Sequence, residues 1–143
     1  MIQWNADLAR RLQCREEEKK GLGPIIKRLM DLDRKARGEG FLSLESELSS
    51  VDDPLLAVGL RLVMEGVSGE ALEEILATYL LIEEKAGWPF LKSCVTIEGI
   101  LALSESDDPA LMARKLLPYF GADKALAALE ELEKDESAAG KER

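Results

Sequence analysis

Glu39-Gly40-Phe41-Leu42-Ser43-Leu44, followed by Asp52-Asp53-Pro54, returns later in the chain as Glu98-Gly99-Ile100-Leu101-Ala102-Leu103, followed by Asp107-Asp108-Pro109. Each copy joins a Glu-Gly-apolar-Leu-small-Leu run to an Asp-Asp-Pro suited to starting a helix. The aspartate accepts from the free N–H groups of a first turn, and proline lacks the donor that would be unsatisfied there. The second spacing is shorter by about four residues, close to one helical turn, which keeps the apolar face in register. Repetition of this kind marks a structural unit.

A second register competes with the first. Ser68-Gly69-Glu70-Ala71-Leu72 and the residues to Leu80 line up with Asp108-Pro109-Ala110-Leu111-Met112 and the residues to Phe120, matching Leu76 to Leu116 and Tyr79 to Tyr119. In that register the second half has no counterpart of the apolar helix at 55–64. Both registers stay open at the level of sequence.

Outward from the repeat, apolar spacing predicts helices throughout. Residues 7–20 read as a polar helix with few anchors, Leu8, Leu12 and Cys14, stopped by Gly21 and Gly23. Pro24 opens a helix whose Ile25, Ile26, Leu29, Met30 and Leu32 form a stripe up to Arg37, where Gly38 and Gly40 interrupt it. Phe41, Leu42, Leu44, Leu48 and Val51 are expected to face inward, with Glu45 and Glu47 outward. Residues 55–64 are apolar on nearly every face except at Arg61, which Glu65 is placed to pair. Such a helix belongs at a bundle centre or a subunit interface. Gly66 ends it, and Ser68 caps the next, whose Leu72, Ile75, Leu76, Tyr79 and Leu80 share one face. Gly87-Trp88-Pro89 is a break. Helices follow from Pro89 to Leu103, from Asp108 to Phe120 and from Asp123 to Lys134, and 137–143 reads as a disordered tail. No segment alternates with period two, so strands are not expected. The expectation is an all-α, single-domain bundle of seven or eight helices. It comprises a polar helical extension (1–23) and a domain (24–136) with two similar halves (24–86 and 89–136).

The chain has 143 residues and a net charge of −9, unevenly placed. Residues 1–37 carry ten basic against six acidic side chains, a balance of +4, which leaves −13 for the rest. That acidic bulk disfavours nucleic acid, whose binding rewards phosphate-neutralising cations on one face. The basic N-terminal part suits an acidic partner surface or the rest of this chain. The longest apolar stretch is broken by Arg61 and falls short of the roughly 18 residues that a membrane-spanning helix needs. The N-terminus has no basic segment followed by an apolar one, so no secretory signal is expected and the cytoplasm is the expected compartment.

Cys14 and Cys94 are the only cysteines and histidine is absent. No disulfide framework, metal or cofactor site is expected from them, and the usual general base of serine or cysteine nucleophiles is missing. The pairs Asp52-Asp53 and Asp107-Asp108 are explained by capping ahead of proline rather than by acid–base work. No catalytic residue is assigned, and an enzyme is not expected. Met30, Met64 and Met112 read as core filler, while Trp4 and Trp88, near segment ends, read as covers for a core edge.

The run Ile26-Lys27-Arg28-Leu29-Met30-Asp31-Leu32-Asp33-Arg34-Lys35-Ala36-Arg37 through Gly40 to Glu45, then Asp53 to Gly66 and the helix to Leu80, resembles the cytoplasmic loop of MotA, the flagellar stator subunits of the MotA/TolQ/ExbB channel family. Ile97-Glu98-Gly99-Ile100-Leu101-Ala102-Leu103, Asp108-Pro109 and Lys115-Leu116-Leu117 look like the cytoplasmic segment that follows the family's last membrane helix. Leu8 to Glu18 is similar to the charged helix that leaves the membrane. The family's four membrane helices have no counterpart here, and the Gly87-Trp88-Pro89 break lies where one pair of them would sit. The resemblance therefore implies a membrane-free relative without ion conduction. The family's rotor contact uses an arginine and a glutamate of the loop against the switch protein FliG, and the matching residues are Arg37 and Glu45. Gly38 departs from the basic or polar residue often found after that arginine.

The leading expectation is a non-enzymatic interaction domain that binds a FliG-like switch protein or another motor component through Arg37 and Glu45. The alternative is a homo-oligomeric scaffold, with the helix at 55–64 in a subunit interface and no motility role.

Overall fold

The computed structural model describes residues 6–83 and 85–141, with side chains for 7–83 and 85–135. Trp4 lies outside the described residues. The described elements are eight α-helices and two 3-10 segments: α1 (Ala6–Arg11), α2 (Glu16–Lys19), α3 (Leu22–Glu39), a 3-10 segment (Phe41–Ser50), α4 (Pro54–Met64), α5 (Gly69–Ile82), α6 (Trp88–Ser104), α7 (Pro109–Leu116), a short 3-10 segment (Leu117–Phe120) and α8 (Ala122–Lys141). The all-α bundle expected from the periodicity is the fold observed.

Helix α6 is the hub. Phe90, Leu91, Cys94, Val95, Ile97, Ile100 and Leu103 bury nearly its whole circumference, and α3, α4, α5 and α7 all pack against it. The bundle centre, one of the two places expected for 55–64, thus belongs to α6. Helix α4 buries only Leu55, Gly59, Leu60 and Val63, and Arg61 is exposed.

Two helix-turn-helix units follow one another. Helix α4 ends with Glu65, Gly66 and Val67 donating to the carbonyls of Arg61, Val63 and Leu62, and α6 ends with Glu105, Ser106 and Asp107 donating to those of Leu101, Leu103 and Ala102. This is the same C-terminal motif at the same offset, with its left-handed residue at Gly66 (φ 87°) and Ser106 (φ 60°). Gly59 and Gly99 share that offset. A Cβ on Gly59 would collide with the Ile100 side chain, and one on Gly99 would lie 2.5 Å from Leu29 Cδ1. Helix α4 therefore presses on α6, and α6 on α3, at matching glycines. The second register describes these turns, and the counterpart of the apolar helix is the C-terminal part of α6. In the first register the settings differ, because Gly40 ends α3 whereas Gly99 lies within α6.

Both Asp-Asp-Pro motifs open helices as expected. Asp53 Oδ1 accepts from Leu55 N (3.0 Å) and Asp108 Oδ1 from Leu111 N (2.7 Å). Ser68 occupies the cap position of α5 without a side-chain cap bond. The polar helix expected over 7–20 is two short helices separated around Cys14. They dock through Arg11, which lies 4.1 Å over the Phe90 ring, donates Nε to Lys85 O (3.0 Å) and accepts at its own carbonyl from Gly87 N (2.8 Å). Helix α8 continues to Lys141, into the stretch expected to be a disordered tail. Ala138 and Ala139 have the strongest helix propensity of any residue type, which favours this continuation.

Candidate functional site

The charged residues singled out in the sequence sit where α3 reverses into the 3-10 segment. Helix α3 runs straight through Gly38 and stops at Gly40, whose N–H reaches Ala36 O (2.8 Å). The chain then folds back along the same helix. Ser43, Ser46 and Ser50 hydroxyls each donate to the carbonyl three residues earlier, reinforcing the 3-10 pattern.

A polar strap holds this segment on α3. Glu47 takes Lys35 Nζ at 3.1 Å and Arg28 Nη2 at 3.3 Å, while Ser46 Oγ accepts from Lys35 (2.7 Å) and Ser50 Oγ from Arg28 (2.8 Å). Glu47 is half-buried between the two cations and does not face out as expected. Its neighbour Leu42, expected inward, is 72% exposed. A threefold repeat turns a different face to the core than an α-helix would, and Leu44 is the buried member.

Glu45 stands on the outer side of the strap, exposed, and makes no hydrogen bond or ion pair among the described residues. Arg37 is also exposed, on the last turn of α3, but its guanidinium is engaged: Nη1 donates to Ser106 O at 2.6 Å. The two residues share a corner without pairing to each other. Arg37 thereby joins that corner to the α6–α7 turn, where Lys115 holds Asp107 and reaches Glu105 at 3.8 Å. Hydrogen bonding to Asp107 raises the Lys115 pKa.

One turn before Arg37, Asp33 is fully buried with neither carboxylate oxygen hydrogen-bonded. Burial pushes its carboxyl up to about 6, against the opposing pull of Arg37. This residue was missed in the sequence, yet it stands three, four and seven residues after Met30, Leu29 and Ile26. That is a position on the buried face of α3.

Elsewhere, burial pushes the Cys94 thiol up to about 12, which keeps it protonated and unreactive. Burial, next to the Glu98 carboxylate, raises the Tyr119 phenol as well. Among the described residues no group of three His, Cys, Asp or Glu is arranged to hold a metal. A groove of about 890 Å³ lies between the α2–α3 start and α8. Glu16, Glu17, Lys19 and Lys27 line one wall and Lys124, Glu131 and Asp135 of α8 the other, so it offers neither sign of charge alone. No helix among the described residues is long and apolar enough to cross a membrane.

The fold and this corner define a helical bundle that presents charged side chains at the turn between α3 and the 3-10 segment. Part of its sequence is similar to curated motility proteins. Motility protein A of Borreliella burgdorferi is 43% identical over 60 residues, which is 42% of this chain and 22% of that protein. Motility protein A of Treponema phagedenis and that of Treponema pallidum are each 39% identical over 56 residues, 39% of this chain and 22% of theirs. The matches thus span about a fifth of the length of these curated relatives. No family model matches the chain, and no solved structure does.

Proposed function

We propose that this chain is a non-enzymatic interaction domain resembling the MotA cytoplasmic region, which docks on a flagellar rotor or switch component through the corner that carries Arg37 and Glu45 and conducts no ions itself. The similarity to Motility protein A supports the motility setting. The observation that carries the surface is Glu45, exposed and unpaired among the described residues on a segment strapped to α3 by Glu47. A charge held rigidly in place and not used internally is available to a partner at little ordering cost. Electrostatic recognition of this kind sets association rate and register more than it adds affinity.

The test is charge reversal. Arg37→Glu and Glu45→Lys should each weaken capture of a purified FliG-type switch protein while leaving the oligomeric state unchanged. Retained binding in both variants would sink the reading. A second reading, self-association, draws on the apolar end of α5, where Leu81 and Ile82 are 66% and 72% exposed. Light scattering that shows a monomer at micromolar concentration removes it.

A further inference from the structure

Asp33 is the only buried acid among the described residues. An ionised carboxylate is an acceptor only, and burying it without a donor is strongly unfavourable. Neither Asp33 oxygen has a partner. Arg37 stands one turn ahead on α3, a spacing at which helical side chains can meet, and it is the leading charge that favours the ionised form. That guanidinium is instead donated to the Ser106 carbonyl on the α6–α7 turn.

We propose that Asp33 and Arg37 form a proton-operated latch. With Asp33 protonated, the guanidinium stays on Ser106 and ties α3 to the α6–α7 turn. With Asp33 ionised, it turns inward to the carboxylate and lets the turn go. One proton moves between Asp33 and solvent, and no covalent bond changes.

The charges that face Asp33 fit a latch. Arg37 and Arg34, on its own helix, favour the ionised form, while Asp107 and Asp108, from the turn that leads into α7, favour the proton. Arg34 is tied to Asp31 at 2.9 Å, and Asp107 is held by Lys115. Arg37 is therefore the arm that can move. Burial outweighs these charges and lifts the carboxyl to about 6, so the change falls within the range of physiological acidification. The consequence for binding rests on the proposed recognition role of Arg37: acid presents the arginine at the corner, and alkali withdraws it.

The experiment follows the Asp33 carboxyl carbon and the Arg37 side-chain nitrogens of the full chain by NMR from roughly pH 4 to pH 8. The two signals should move together with a midpoint near 6. In Asp33→Asn the Arg37 signal should stay flat, and in Arg37→Gln the Asp33 midpoint should rise. The latch is overturned if Asp33 titrates in the ordinary carboxylate range. It is also overturned if Arg37 moves equally in Asp33→Asn, or if the Asp33 midpoint ignores Arg37→Gln. Binding of purified switch protein at both ends of the range separates the two readings. Wild-type affinity should be several-fold weaker at high pH, and equal affinity with the titration intact overturns the regulatory role. Titration without binding at either pH overturns the recognition reading and leaves the latch standing.

Discussion

Replacing Asp33 by asparagine removes a buried titratable group while keeping its shape, and its effect on stability should depend on pH in a calculable way. In the unfolded chain the carboxyl loses its proton near 3.8, whereas in the folded protein it holds it to about 6. Between those values the native state carries a proton that the unfolded state lacks, so wild-type stability falls as pH rises and then levels off. The shift of about two units corresponds to about 3 kcal/mol. Relative to its value below pH 4, the stability of Asp33→Asn should therefore gain about 3 kcal/mol over wild type by pH 7. In urea denaturation, with a slope of about 2 kcal/mol per molar, that is a relative midpoint shift of roughly 1.5 M. The reference at low pH cancels whatever the amide itself costs. A midpoint difference that stays constant from acid to neutral pH would refute the reasoning.

Other outcomes follow from the same packing. Gly99→Val drives a branched side chain into Leu29 and should cost about 2 kcal/mol, whereas Gly38→Ala, with open space around it in α3, should stabilise by about 0.5–1 kcal/mol; thermal unfolding checks both. Asp108→Ala removes the cap bond to Leu111 and should cost about 1 kcal/mol, while Ser68→Ala, which loses no cap bond, should stay within about 0.5 kcal/mol of wild type. Glu47→Ala frees the 3-10 segment from Arg28 and Lys35, and hydrogen exchange across residues 41–50 should quicken more than elsewhere in the chain.

Helix existence was legible because it rests on local chemistry. Asp53-Pro54 and Asp108-Pro109 carry their own capping logic, and Gly40 and Gly66 mark helix ends. What escaped depends on three-dimensional neighbours. The register of the repeat was undecidable in sequence because Gly59 and Gly99 look like ordinary helix glycines until Ile100 and Leu29 are seen resting on them. Leu42 faces solvent because its segment winds as a 3-10 helix, whose period the apolar spacing does not reveal. Glu47 was read as solvated because its cations lie on a different element. Asp33 is an acid at a position that the period of α3 assigns to the buried face, a combination that composition alone does not signal. Of the candidate site, Arg37 and Glu45 are proposed from the resemblance, and that Arg37 is engaged with Ser106 is visible only in the fold.

Recognition through Glu45, exposed and unpaired among the described residues, is the core of the proposed function. It is tested most directly by titration calorimetry of a purified FliG-type switch protein against wild type, Glu45→Lys and Glu74→Lys, the last reversing an exposed charge on α5. If Glu45 meets the partner, Glu45→Lys loses roughly tenfold in affinity, with unfolding temperature unchanged and Glu74→Lys binding like wild type. Equal affinity for all three proteins would contradict it.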